Sequence, residues 1–268
     1  PNIIIASRAN LSFNDFLVHM APWVIVVMMV ITPMLVFMFR KELVNTAADR
    51  ARIDKLDEKS YLKDKVLLKK SLFVLGAVMI AFVLHTALHL EPSIVAMLGA
   101  GVLVGISRLK PKDYAMDVEW ATLVFFAGLF IMVGALVKTG ALGEFAKFLK
   151  DQVGDQASLA AMVLLFVSAI LSGIIDNIPY VASMSPVVTE LSAGISNQYG
   201  DVLWWALAFG ADFGGNATII GASANVVAIG LAHKAGIKIS FWQFAKYGIP
   251  VTLVSVAMVA PYILIRYF

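Results

Sequence analysis

An all-α, polytopic membrane fold, built on an inverted repeat with a re-entrant hairpin and broken helices, is what this sequence predicts. Three observations carry the prediction. The 268 residues are 60% hydrophobic and only 15% charged, with a mean hydropathy of +0.85, whereas a soluble domain is nearer half apolar and a quarter charged. Apolar runs of bilayer length alternate with short polar stretches along the chain. Finally, within residues 172–232, two apolar segments are interrupted at their middles rather than their ends. The first breaks at Asp176-Asn177-Ile178-Pro179, the second at Gly214-Gly215-Asn216 and again at Ala222-Ser223-Ala224-Asn225. As one helix, residues 202–233 would run about 48 Å, against roughly 30 Å of hydrocarbon. Paired interruptions of this kind mark a binding site inside the bilayer.

Taken in order, residues 1–9 are apolar and too short to span, and 10–16 are polar and aromatic, as at an interface. Residues 16–39 form a first span with a kink at Pro33. The segment 40–70 carries ten of the 21 Lys and Arg residues, which assigns it to the cytoplasm by the positive-inside rule. Residues 71–90 then run outward and 93–107 return; Arg108, Lys110 and Lys112 mark a second cytoplasmic loop. Residues 120–137 go outward, anchored at the interface by Trp120. Segment 141–153 places Leu142, Phe145, Phe148 and Leu149 opposite Glu144, Lys147, Lys150 and Asp151, the pattern of a helix lying on the membrane surface.

From Gln156 to Ala232 there is no Lys, Arg or His, so loop 194–201 belongs outside. His233, Lys234, Lys238 and Lys246 return the chain to the cytoplasm, and 248–265 is the last span. This alternation closes only if 158–192 enters and leaves on the outer side, as a re-entrant hairpin with its tip at 176–179. Such backbone is tolerated when buried in protein or lining a cavity.

A short internal echo supports a repeat. Pro1-Asn2-Ile3-Ile4-Ile5 followed by Ser12-Phe13-Asn14-Asp15-Phe16 matches Ala224-Asn225-Val226-Val227-Ala228 followed by Ser240-Phe241-Trp242-Gln243-Phe244. The two copies emerge on opposite sides, the signature of an inverted repeat. The division expected is a first-repeat tail (1–16), scaffold spans (17–137) and a second repeat (138–268) with hairpin 158–192 and broken helix 202–233. A further hairpin is expected upstream of Pro1, the chain being read as part of a longer one.

Asp176 and Asp212 each cost roughly 2.5–3.5 kcal/mol at a bilayer centre and are expected to face a cavity or partners. Asp176 or Asn177 can also cap the helix that starts near Pro179. Asn216, Ser223 and Asn225 add side-chain oxygens, which suit hard cations such as Na⁺. Gly214, Gly215, Gly221, Ala222 and Ala224 equally suit close helix packing. His85 and His89 stand four residues apart without Cys or a clear acidic partner, which favours a structural role over zinc. The net charge of +3 is carried in loops and implies no nucleic acid, and with no Cys there is no disulfide or thiolate metal site.

The segments SGIIDNIPYVASMSPVV and ALAFGADFGGNATIIGASANVVAIGLA, followed by GIKISFWQFAKYGIP, closely resemble the second half of the ion-transporter superfamily. That group includes arsenite permeases, sodium–proton antiporters and the P protein, and shares a citrate-transporter-like domain. PNIII…LSFNDF resembles the matching motif of the first repeat. The resemblance implies two inverted repeats whose hairpins and broken helices meet at the midplane, a homodimer, and elevator-like movement. It assigns Asp176, Asn177 and Pro179 to the hairpin tip, Gly214, Gly215, Asn216, Ser223 and Asn225 to the second break, and Asn2 to the first. Asp212 departs from the uncharged residue expected in the P-protein branch.

The reading is therefore a secondary active ion transporter of the inner or plasma membrane. Its partners are lipid and a small ion; Na⁺ or H⁺ is the coupling ion, with Na⁺ expected at Asp176, Asn177 and Asn225, and no other cofactor or metal. A cation-coupled anion transporter for di- or tricarboxylates or arsenite is the alternative, since helix N-termini and a bound cation can hold an anion. Catalysis is not expected. An intramembrane aspartyl protease would need Asp176 and Asp212 as a dyad, but Phe209-Gly210-Ala211 precedes Asp212 in place of that family's Gly-x-Gly. A passive channel is a further rival, distinguished by single-channel conductance steps.

Overall fold

The computed structural model describes residues 1–43, 64–85, 87–88, 90–107, 110, 112, 115, 118, 120–140, 144, 147–148, 151, 156–193 and 200–268. Among these, the regular structure is helical and no strand is present. In chain order the helices are α1 (Asn2–Ala9), α2 (Phe13–His19), α3 (Ala21–Met38), α4 (Lys65–Leu84), α5 (Pro92–Ser107), α6 (Trp120–Lys138), α7 (Ala157–Ile174), α8 (Asn177–Ala193), α9 (Gly200–Gly214), α10 (Ser223–Lys234) and α11 (Phe241–Tyr267).

Among the described residues α3, α4, α7 and α11 are long and apolar enough to cross a membrane. Large apolar side chains on α3 and α4, such as Met29, Phe37, Phe73 and Ile80, are more than half exposed, as lipid-facing residues would be. The protein is an integral, multi-pass membrane protein. Several boundaries differ from those expected. The first span starts at Ala21, because α2 is a separate short helix. The second starts at Lys65 rather than 71, because Asp64 caps it: Oδ1 accepts the backbone N–H groups of Val66 and Leu67 at 2.9 and 2.8 Å. The last span extends back to Phe241, where Ser240 Oγ accepts from the Gln243 N–H. Pro33, Pro186, Pro250 and Pro261 all lie inside helices. The surface helix expected at 141–153 and most of the two cytoplasmic loops lie outside the described residues.

The chain forms two compact units, one of residues 1–11, 15–31 and 121–268, the other of residues 12–14 and 32–120. In the second unit α4 packs against α5. Gly99 admits the Val78 side chain where a methyl group would clash, and Lys70 Nζ donates to the Ile106 carbonyl at 2.6 Å. His85 Nε2 accepts the Phe13 N–H at 3.1 Å, so its proton sits on Nδ1, 3.3 Å from the Leu90 carbonyl. His85 is held by backbone groups of this unit, while His89 lies outside the described residues.

The first unit holds the larger core, centred on α9. Val202 to Phe209 are buried without interruption, and α7, α8, α11 and α1 surround them. A helix apolar on every side is a helix buried on every side. Contact between α7 and α9 is made by small residues: a Cβ on Gly210 would lie 2.5 Å from the Leu165 carbonyl oxygen, and one on Gly214 2.5 Å from that of Ala169. The Gly-x-x-x-Gly spacing brings the two backbones together.

Candidate functional site

The hairpin is two helices joined at Ile175 and Asp176. Its arms fold back on one another, and the buried Tyr180 hydroxyl on α8 donates to Ser168 Oγ on α7 at 2.9 Å. Asp176 is the cap: Oδ1 accepts the Ile178 N–H at 3.0 Å. Asn177 is therefore the first helical residue and Pro179 the third, two residues inside the start expected from sequence. Pro179 fits there because its missing N–H is among those a helix start leaves unpaired.

The second interruption is real and runs over residues 215–222, between α9 and α10. Ser223 and Asn225, expected within the break, instead open α10. Carbonyls that the ending helix and the break leave free are met by nearby side chains. Ser172 Oγ donates to the Ala211 carbonyl at 2.6 Å, and Thr252 Oγ1 to that of Phe213 at 3.0 Å. Asn225 Nδ2 bridges the carbonyls of Gly215 and Thr218, both at 2.9 Å. Thr218 Oγ1 donates to the Gly173 carbonyl at 2.6 Å and accepts the Gly221 N–H at 3.1 Å, pinning the break to the end of α7.

The two interruptions meet. Ser223 Oγ donates to Asp176 Oδ2 at 2.5 Å, and the Asn177 N–H donates to the Gly221 carbonyl at 3.1 Å. Gly215 lies against the Asn177 side chain; a Cβ there would be 3.2 Å from Nδ2. The N-termini of α8 and α10 therefore open beside one another. Asn216 is exposed, and its carbonyl oxygen packs against Gly248 of α11, where a Cβ would clash.

Asp212, on α9, accepts from Asn2 Nδ2 at 2.8 Å, while Asn2 Oδ1 is buried without a hydrogen-bond partner. The structure thus gathers Asp176, Asn177, Gly215, Ser223 and Asn225 at one junction and gives Asp212 and Asn2 to each other. Gly214 lies in the α7–α9 contact. Sequence reasoning missed Ser172, Thr218 and Thr252, which hold the break. Thr218 had a legible signal as the one hydroxyl residue within 215–222; the other two sit in apolar helices with nothing to distinguish them.

These features define a polytopic helical membrane protein with two interrupted segments joined at one site. The chain belongs to the citrate transporter family, whose model matches residues 1–210. It is 50% identical over its whole length to the 46 kDa membrane protein of Mycobacterium leprae and 52% identical to an uncharacterized transporter of Mycobacterium tuberculosis, covering 62% of each. It is 39% identical to the human P protein across 80% of the chain and 27% of that protein. The chain thus spans about three-fifths of the mycobacterial relatives' length. No solved structure matches it.

Proposed function

We propose that this chain is the part of a secondary active ion transporter that carries its second hairpin and broken helix, working by alternating access with Na⁺ or H⁺ as the coupling ion. The observation that carries this reading is the Ser223–Asp176 hydrogen bond, which joins the hairpin tip to the restart of the broken helix. A carboxylate held there has a lone pair that a cation can take by displacing one hydroxyl. Asn177, Asn216 and the carbonyls of residues 215–222 supply further oxygens, and Asn225, its amide N–H groups already spent, can offer only Oδ1. Oxygen-only ligation suits hard cations. Pro179 and Gly214 act by shape, and the Asn2–Asp212 pair is a second polar group in the same unit. The transporter works as a homodimer in lipid, takes a small ion and needs no other cofactor.

A second reading is cation-coupled anion symport. The adjacent N-termini of α8 and α10 favour it, since they direct the partial positive ends of two helices towards one place. The family's citrate transporter name makes a tricarboxylate the first substrate to test. The protease reading finds no support: the two aspartates have different partners and share no hydrogen bond.

The test is uptake into proteoliposomes by the full-length protein under imposed Na⁺ and pH gradients, with citrate among the substrates. Asp176→Asn keeps an acceptor for the Ile178 N–H but cannot exchange a proton for a cation, so gradient-driven uptake should be lost from a folded protein. Coupling that survives in this variant would leave Asp176 as a helix cap.

A further inference from the structure

At the end of the first unit away from the break, three separate segments close around a cavity of about 390 Å³. It is lined by Asn10 and Leu11 after α1, Asp15 and His19 of α2, Asp201 and Trp205 of α9, and Tyr267 of α11. The charge bias of the sequence independently assigns all of these to the outer side of the membrane. The cavity is not part of the candidate ion site.

His19 is the element that ties these segments together. Its ring stacks on Trp205 with centroids 4.8 Å apart and planes 10° apart, and on Tyr267 at 5.8 Å and 19°. Nδ1 lies 2.6 Å from the Tyr267 hydroxyl, and the His19 carbonyl accepts from the Tyr262 hydroxyl at 2.6 Å. Two charges of one sign oppose one of the other. Asp15 and Asp201 share the cavity, and Arg266 on α11 lies over the rings of Tyr262 and Tyr267 at 5.7 and 6.0 Å.

We propose that His19 is a pH-operated latch on the outer face, closed when the imidazole is neutral and released when it takes up a proton. Neutral, Nδ1 accepts the Tyr267 hydroxyl and the flat ring lies against Trp205, holding the end of α2 to α9 and α11. Protonated, both ring nitrogens become donors, so the Tyr267 hydroxyl can no longer donate to Nδ1 and must turn its hydrogen away to accept instead. The imidazolium is then repelled by Arg266 and drawn to the carboxylates of Asp15 and Asp201 across the cavity. The settings agree with the latch being closed at neutral pH: burial first, then Arg266, holds His19 below its ordinary value, against the upward pull of Asp15 and Asp201.

The experiment is hydrogen–deuterium exchange on the full-length protein in nanodiscs, between pH 7.5 and 5, corrected for the intrinsic pH dependence of exchange. Acid should speed exchange of residues 15–20 in wild type and leave it unchanged in His19→Gln, which cannot be protonated. Arg266→Gln should move the acid midpoint to higher pH by removing the opposing charge. If His19→Gln does not fold, the Arg266→Gln shift decides alone. Acid-accelerated exchange that persists in His19→Gln, or a midpoint unmoved by Arg266→Gln, overturns the proposal.

Discussion

Asn2 and Asp212 lie 210 positions apart in sequence and meet through a 2.8 Å hydrogen bond from Nδ2 to Oδ2. The bond ties α1, whose sequence echoes the start of α10, to the central helix α9. A hydrogen bond of this kind contributes about 0.5–1.5 kcal/mol net. In a double-mutant cycle of Asn2→Ala and Asp212→Ala on thermal inactivation of the full-length protein, the coupling should be about 1 kcal/mol. Strict additivity would show that the contact contributes nothing.

The cap and the tip contact at Asp176 can be separated. Asp176→Ala removes both and should lower stability by about 1 kcal/mol more than Asp176→Asn, which retains the cap. Ser223→Ala removes only the tip contact and should destabilise by about 1–3 kcal/mol, whereas Ser223→Thr, with its hydroxyl, should stay near wild type. Paired melting curves of the four variants check the order.

Asn225 places both amide N–H groups on carbonyls of the break. Asn225→Ala should cost about 1–3 kcal/mol for two lost bonds. Asn225→Asp should cost more, because it sets a carboxylate against two carbonyl oxygens. A tolerated Asp at neutral pH, seen as unchanged melting, would mean that the break does not depend on these bonds.

The α7–α9 contact leaves no room for a methyl group at Gly210 or Gly214. Either Gly→Ala change should force the helices apart and cost about 1–3 kcal/mol. Gly230, with nothing within 4 Å of its would-be Cβ, is the control; Gly230→Ala should be neutral or stabilise by up to about 1 kcal/mol. Melting temperatures of the three variants distinguish close packing from mere helix propensity.

Stability should also fall with acid through His19. Its folded-state affinity for a proton is below the ordinary one, so the unfolded chain binds more protons near pH 6 and stability is lost as pH falls below about 6.5. His19→Gln should flatten that part of the melting-temperature profile. An unchanged slope would assign the acid sensitivity elsewhere.

Composition and hydropathy by themselves determined a helical membrane protein, because a bilayer leaves the backbone few ways to satisfy its polar groups. Length alone required a break within 202–233, and Gly-Gly-Asn located its start. The Asp-Asn-x-Pro run located the hairpin tip, since capping chemistry is local. What only the tertiary structure decided is which polar groups meet. Asp176 and Asp212 look alike in sequence, yet one faces Ser223 and the other Asn2. Ser172, Thr218 and Thr252 serve carbonyls 39 to 45 residues away, and His19 finds Tyr267 across 248. Periodicity reports which face of a helix is apolar; the partner of a lone hydroxyl or imidazole depends on the close approach of other helices, which the small residues Gly210 and Gly214 permit.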